Sequence, residues 1–522
     1  LSAGALICYN YYASVPAFLP GGSRKFEKTG GKRMYECPNC GGDLRFDIAS
    51  QKLKCNHCES SFDPYEQEKQ ADAVESTDDE YQVTVFTCPE CGAEIESTNL
   101  SAAGFCSYCG GAVVFSSRVQ KEKRPAKIIP FRVTKEDCRK SYLSMIKRTP
   151  YTPKELKDPK YLERFVGFYL PYWSFRSKTE REVHVDGVKR TRRGDYIYVD
   201  HYHLSGKLDA SYDGVSYDAS SSFDDGISQR IAPFSTKNMV DFAPSFLLGF
   251  YADTADVPVE IYQNEAYTTI AKDIVRRLLS SQGFQKGGIK VESSATAQIR
   301  NEIAGDISSE RMMFPIWFLT YRKGDRIAYS VVNGSTGTIY SDLPIDSGRF
   351  FRASLLFAIP IFLLLNLILS LSAQKILIFS MLLAVFTIFL YAMEIRAIHR
   401  KEKRKDDTGY QWKQKDEAKS AAAEPEDMQG KNMTEEYQRR SQAKNTERVP
   451  AKNTHFTEML GAVFAVLLSA LILFWNPVED LFFYLGSVVS LLSIGITILG
   501  VIKKYNNFAT RPVPDFFTKK GE

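Results

Sequence analysis

Four C-x-x-C pairs constrain this chain more than any other feature. Eight of the ten cysteines fall into them: Cys37/Cys40, Cys55/Cys58, Cys88/Cys91 and Cys106/Cys109. Fourteen residues separate the first pair from the second, and fourteen separate the third from the fourth, so the unit recurs at a spacing of 51. The gap is one residue short of the usual four-cysteine zinc spacing. Zinc takes four thiolates in a tetrahedron, and each C-x-x-C turn offers two sulfurs on one side. Glycine after the second cysteine, as in CPNCGG and CPECGA, lets the backbone curl around a metal. The residues between the pairs, such as LRFDIASQKLK, alternate as a short hairpin. A unit of roughly 30 residues buries too little surface to fold alone. Metal binding supplies the missing free energy, on the order of 10 kcal/mol.

Disulfides and redox dithiols compete for the same cysteines. Nothing in the sequence marks secretion, and a repeated four-cysteine unit is not a thioredoxin pattern. The expectation is therefore two structural Zn2+ ions, held by Cys37, Cys40, Cys55 and Cys58 and by Cys88, Cys91, Cys106 and Cys109. Four protein ligands leave neither site an open position for catalysis. His57 reads as a bystander, and Cys8 and Cys138 as free thiols. Zinc knuckles often read nucleic acid, which takes Lys and Arg. Residues 36–63 instead carry five acidic against three basic side chains, and residues 86–111 carry Glu90, Glu94 and Glu96 with no Lys or Arg. EQEKQADAVESTDDE, between the units, is acidic as well. The units therefore read as protein-docking or spacer modules, with nucleic acid an unlikely partner. The basic run RVQKEKRPAK (118–127) reads as a solvated linker.

Four apolar runs span 353–372, 376–393, 459–475 and 481–502. Each has about the length that crosses 30 Å of hydrocarbon. The connections SAQK and NPVED are short enough to make two helical hairpins. Arg349 and Arg352 precede the first run, RAIHRKEKRK (396–405) follows the second, and Lys503 and Lys504 follow the fourth. This bias places both termini and the 396–455 segment in the cytoplasm, the compartment in which cysteines remain thiols. The segment 396–455 has almost no large apolar residues and reads as disordered or a solvated helix. No initiator Met opens the chain, and the first is Met34. Residues 1–33 read as a disordered or non-native leader.

Residues 125–348 are rich in Tyr, Phe and Val. VKRTRRGDYIYVDHYHLSGKLDASYDG reads as β-hairpins, EDCRKSYLSMIK and NEAYTTIAKDIVRRLLSSQ as helices, and MMFPIWFLTYRKGDRIAYSVVNGSTGTIYSDLP as strands turning at KGD and NGSTG. The result is an α+β domain. Its blocks IIPFRVTKEDCRKSY, FVGFYLPYWSF, MVDFAPSFLLGFYAD and FPIWFLTYRKGDRIAYSVVNGSTGTIYSDLPI occur in the order found in a family of bacterial membrane proteins with tandem zinc ribbons. With the cysteine units, they make residues 36–395 resemble the "TFIIB-type zinc ribbon-containing protein" family. The resemblance implies a cytoplasmic zinc-ribbon and α+β head on a bacterial cytoplasmic-membrane anchor. It also implies protein partners of the phage-shock or stomatin-like scaffold type, and it supplies no catalytic residues.

The expected layout is thus zinc ribbon 1 at 34–63, an acidic linker at 64–85, zinc ribbon 2 at 86–116 and the α+β domain at 125–348. Transmembrane hairpins follow at 353–395 and 456–502, joined by the charged 396–455 linker, with a cytoplasmic tail at 503–522. A search for chemistry finds no P-loop, no GxGxxG after a strand and no HExxH. His201 and His203, beside Asp200, share a strand face, which reads as a polar face. The aromatic sets GFYLPYW and FPIWFLTY read as core, and Asn366 as a hydrogen-bonding residue between membrane helices. The expected function is a non-enzymatic membrane docking platform. The alternatives are a membrane-tethered nucleic-acid binder and a membrane enzyme with an unrecognised site in 125–348.

Overall fold

The structure is a computed structural model that describes residues 36–66, 80–97, 103–114, 116–280, 289–291, 294–368, 372–402, 455–514 and 516. The readings made for residues 1–33, for Cys8, for the acidic stretch 67–79 and for 403–454 lie outside the described residues.

The first cysteine unit forms a three-stranded antiparallel sheet of β1 (Leu44–Asp47), β2 (Lys52–Cys55) and β3 (Ser61–Phe62). The second contributes β4 (Glu80–Thr87), β5 (Glu94–Ser97), the small hairpin β6 (Ala103–Phe105) and β7 (Ala112–Val114), and then β8 (Ser116–Lys123). The middle domain runs through β9 (Lys127–Ile128), α1 (Lys135–Lys147), α2 (Pro159–Leu162), the long strands β10 (Val166–Arg193) and β11 (Tyr196–Asp218), and α3 (Asp225–Ile231). It continues with β12 (Val240–Asp241), β13 (Tyr251–Asp253), α4 (Glu260–Ser280), β14 (Lys290–Val291), α5 (Ala295–Ile303), β15 (Ile307–Lys323), β16 (Arg326–Asn333) and β17 (Ile339–Ser341). Then come α6 (Ser347–Ile368), α7 (Ala373–Glu402), α8 (His455–Trp475), α9 (Asp480–Ala509) and β18 (Arg511–Pro512). Both expected helices of the middle domain form, as α1 and α4, and the chain turns at KGD and NGSTG as expected.

One large sheet organises all of this, with its main path in the order β12-β9-β15-β10-β13-β5-β4-β8. Its centre is the antiparallel pair β10–β15, in register from Val166↔Phe318 to Ser177↔Ile307. Side chains on a strand alternate between faces. Tyr169, Met313, Trp317 and Leu319 enter one core, together with Leu44, Phe46, Leu53, Cys37 and Cys55 of the first cysteine unit. Phe168, Leu170, Phe314, Ile316 and Phe318 enter the other, with all four cysteines of the second unit. The two cysteine units therefore cover opposite faces of the same sheet. A sheet buried on both faces explains why GFYLPYW and FPIWFLTY are apolar at nearly every position.

Three stretches read as linker or tail are structured instead. The end of the 64–85 linker is β4, whose Tyr81, Val83 and Val85 are buried. The 118–127 run is largely β8, paired with β4 from Ser116 to Lys123. The segment after Lys503 continues α9 to Ala509 and then adds β18 to the edge of β16 through Arg326↔Pro512 and Ile327↔Arg511. Tertiary pairing overrides local polarity in each case: β4 lies between β5 and β8, while β8 and β18 are edge strands, which keep one side in water.

Among the described residues, three helical segments are long and apolar enough to cross a membrane: Ser347–Leu364, Ala373–Ile398 and Asp480–Ala509. The apolar part of α8, Leu460–Trp475, is shorter. Asn366 falls in α6, with its side chain outside the described residues. Helices α7, α8 and α9 meet at Gly486, where an added Cβ would come within 2.8 Å of Ile472 and 2.9 Å of Leu377. Further along, Ser469 Oγ lies 2.9 Å from Ser490 Oγ, and Lys504 Nζ donates to Tyr391 Oη at 3.2 Å. The starts of α7 and α9 thus lie together and their ends lie together, while α8 runs antiparallel to α9. Small residues at such contacts let membrane helices approach closely.

The end of α9 is tied into the sheet. Asn506 Nδ2 donates to Ile345 O at 2.8 Å, and its Oδ1 accepts from Ile345 N at 2.7 Å. Arg326 Nη2 donates to Asn507 O and Thr510 O, both at 2.7 Å. Arg511 reaches Asp224 at 2.9 Å and Asp342 at 3.2 Å, and its guanidinium lies 5.0 Å from the Tyr329 ring centroid. Breaking a largely buried ion cluster by removing one member costs about 3 kcal/mol. The variant Arg511→Ala should therefore lower the unfolding midpoint of the solubilised protein and expose the C-terminal segment to protease. An unchanged midpoint with the same cleavage rate would contradict this role.

Candidate metal centres

All four C-x-x-C turns share one backbone. Gly41 N donates to Cys37 O at 2.8 Å, Gly92 N to Cys88 O at 2.8 Å, Gly110 N to Cys106 O at 2.9 Å, and Glu59 N to Cys55 O at 3.0 Å. The donor in each turn has a left-handed φ: +68° at Gly41, +73° at Gly92, +69° at Gly110 and +58° at Glu59. Glycine takes this conformation without cost. Glu59 holds it against the Cβ penalty.

The turns bring the sulfurs together as the spacing predicts. Cys37 and Cys58 Sγ are 3.5 Å apart, as are Cys40 and Cys55 Sγ; Cys88 to Cys109 is 3.8 Å and Cys91 to Cys106 is 3.7 Å. Within each group all four sulfurs lie within 4.8 Å of one another. A tetrahedron with metal–sulfur bonds of about 2.3 Å has edges of about 3.8 Å. Each group could thus hold one metal ion, and the geometry is consistent with zinc. His57 joins neither group; its backbone N–H reaches Cys55 Sγ at 3.4 Å. Cys138 is a free thiol buried in the first core, and burial pushes its pKa up.

The two centres differ in exposure. At the first, Cys37 and Cys55 are buried while Cys40 and Cys58 face solvent. Hydrogen bonding to Ser60 lowers the Cys58 thiol to about 6, which favours the thiolate a metal needs. The unit docks on the sheet through Phe46 N donating to Leu248 O at 2.9 Å and Gln51 Nε2 to Phe131 O at 2.8 Å.

At the second centre all four cysteines are buried, and its knuckles are held from the sheet. Thr320 Oγ1 donates to Ser107 O, and Tyr329 Oη donates to Tyr108 O at 2.9 Å. Arg322 pairs with Glu90 at 2.6 Å. Tyr108, inside the last C-x-x-C, donates to buried Asp253, which also accepts from Ser220. The Tyr108 ring packs edge-on against Phe516 at 5.6 Å, and Phe516 N donates to Cys91 O at 2.5 Å. Ligand spacing made the cysteines legible in the sequence. These supporting residues left no signal, because they are scattered along the chain.

Two buried carboxyls lie on the paired strands β5 and β13, Asp253 on the side of this centre and Glu96 against Tyr81 of the first core. Burial raises Asp253 to about 6. Burial, with Glu122 adding to it, raises Glu96 to about 8, and Tyr81 Oη donates to it at 3.2 Å. Elsewhere, His201 and His203 share a strand face as expected. His203 Nδ1 lies 2.6 Å from Asp186, which accepts from Gln298 Nε2 at 2.7 Å. They belong to no group of three ligand-type side chains among the described residues. A solvent-open cleft of 520 Å³ lies in the middle domain, lined by Lys127, Arg176, Lys178 and Asp306 among others. Lys127 is paired with Asp241 at 2.9 Å and Arg176 with Glu310 at 3.3 Å.

No protein-family model matches the chain, and no solved structure matches it. Among curated proteins it is similar to the uncharacterized protein YdjG of Bacillus subtilis (strain 168), with 26% identity over 319 residues. That alignment covers 60% of this chain and 91% of the relative.

Two outcomes are expected. A chelator should remove metal in two phases, fast from the half-exposed first centre and slow from the buried second; Cys40→Ser should abolish the fast phase alone. A single phase that survives Cys40→Ser would contradict this. For pH, the folded-state pKa of Glu96 lies above its ordinary 4.5. The folded state then binds more protons than the unfolded one, so stability falls as pH rises from about 4.5 through about 8. Glu96→Gln keeps the site neutral and should gain stability over the parent chain steadily across that window. A gain that does not vary with pH would refute the protonated Glu96.

Proposed function

We propose that this chain is a non-enzymatic multi-pass membrane protein that presents a zinc-stabilised platform on one side of the bilayer for a protein partner. One observation carries this reading. Two four-thiolate sites clamp opposite faces of a single sheet, and the same sheet grips the end of the last membrane helix. Four protein ligands close a zinc site to substrate, which is the mark of a structural centre. The second unit has no Lys or Arg in residues 86–111, which weighs against phosphate binding by that unit.

The membrane topology has its own support. Helix α6 starts directly after β17, and the end of α9 is bonded to Ile345 and Arg326. The first membrane segment thus begins, and the last ends, on the domain's side of the bilayer, which requires an even number of crossings. With α8 antiparallel to α9, four crossings as two hairpins meet that requirement. The Lys and Arg bias then favours the cytoplasm for both termini and for the 396–455 segment. The resemblance to tandem zinc-ribbon membrane proteins supports a partner of the membrane-stress scaffold type. The relative in Bacillus adds no activity.

The test is recruitment by the full chain in native membranes, before and after zinc removal. Chelation should abolish partner recruitment and expose the C-terminal segment near Phe516 to protease, while the protein stays in the membrane. Recruitment that survives complete zinc loss would overturn the reading.

A further inference from the structure

The hairpin of β10 and β11 outruns its support. Its inner part is covered, with Val183, Val185 and Leu208 buried among Ile270, Ile274 and Ile299 of α4 and α5. The last neighbouring strand, β14, pairs with β10 at Gly187 and Val188. Beyond that, the five cross-strand pairs from Lys189↔Asp200 to Arg193↔Tyr196 have no further strand beside them among the described residues. At about 3.3 Å per residue this tip projects about 16 Å. Tyr196, Ile197, Tyr198 and Val199 are consecutive and exposed at 74%, 65%, 54% and 43%. The opposite strand carries Lys189, Arg190, Arg192 and Arg193. Arg192 Nε donates to Gly194 O at 3.2 Å across the turn, and the Arg193 guanidinium lies 5.8 Å from the Tyr198 ring centroid. A soluble tip has no use for four large apolar groups in water.

We propose that this tip is the docking surface for a cytosolic protein that presents an acidic segment; the inference rests on the platform reading above. Arginine and tyrosine dominate binding hot spots, and each face of the hairpin sets arginine beside apolar groups, Arg193 opposite Tyr196 on one and Arg190 and Arg192 opposite Val199 and Ile197 on the other, which complements carboxylates set around apolar side chains. The outer edge of β11 from Tyr196 to His203 pairs with no described strand, so its N–H and C=O groups can receive an incoming segment. Lys189, Arg190, Arg192 and Arg193 outnumber Asp195 and Asp200 within the tip, so its net charge favours an acidic partner. The protein's own bilayer is disfavoured by direction. The β15–β16 turn lies at the membrane end, where Arg326 holds α9. Strand β10 pairs antiparallel to β15 from Val166↔Phe318 to Ser177↔Ile307, so it leaves that end and carries its tip away from it.

The test uses the full chain in its host, with a photo-crosslinking side chain installed as Ile197→benzoylphenylalanine. The expected product is an adduct of discrete mass that protease destroys and nuclease does not. Its crosslinked peptide should be acidic. The combined variant Arg190→Glu, Arg192→Glu and Arg193→Glu should cut its yield roughly tenfold or more, since like charges across an interface are costly, with zinc content and membrane insertion unchanged. A nuclease-sensitive adduct, a lipid adduct, no adduct, or an adduct indifferent to the charge reversal would each overturn the proposal. Zinc-dependent recruitment that persists without tip crosslinking would remove this surface and leave the platform reading standing. Loss of zinc-dependent recruitment altogether would remove both.

Discussion

The four-thiolate cluster of Cys88, Cys91, Cys106 and Cys109 is the constraint on which the rest of the structure depends. Its sulfurs are buried in the same core as Phe168, Phe318 and Tyr329. Without a metal, four thiols would share that space with few favourable contacts to replace the ion. With one, the loops carrying Ser107 and Tyr108 are fixed, and their carbonyls become acceptors for Thr320 and Tyr329. Those bonds fix the position of the β15–β16 hairpin, whose turn holds the end of α9. Phe516 closes the circuit by returning to Cys91 and Tyr108. The final membrane helix is thereby coupled to the metal centre through a short series of packed and hydrogen-bonded groups.

The internal repeat gains a structural meaning from the sheet. Two copies of one metal unit cover the two faces of β10 and β15, each supplying cover that a two-sided sheet requires. They have not stayed equivalent. The first keeps Cys40 and Cys58 in solvent, and the second is enclosed and braced by Arg322, Tyr329 and Asp253. An ion held by the first group would secure one face of the sheet, whereas one held by the second would also secure the contacts that reach the end of α9.

Much of this was legible where the signal is local. The cysteine spacing assembles both thiolate groups, KGD and NGSTG turn the chain, and apolar runs mark the membrane helices. Long-range pairing hid the remainder. In the central blocks GFYLPYW of β10 and FPIWFLTY of β15 nearly every position is apolar, so no alternation announces which face takes which cysteine unit. RVQKEK is charged enough to pass for a linker, yet it is an edge strand of the large sheet. RPVPDFF has two prolines and reads as a tail, but Arg511 and Phe516 find buried partners far away in sequence. Helix α8 carries a shorter apolar stretch than its neighbours and packs antiparallel on α9.

The most direct measurement is metal-edge X-ray absorption on the purified full chain, with zinc counted on the same sample. The account predicts two zinc ions per chain, each with four sulfur scatterers at about 2.3 Å, and one retained when Cys40 is replaced by Ser. Nitrogen or oxygen in the first coordination shell, or no bound zinc in a folded chain with its C-terminal segment still docked, would contradict it.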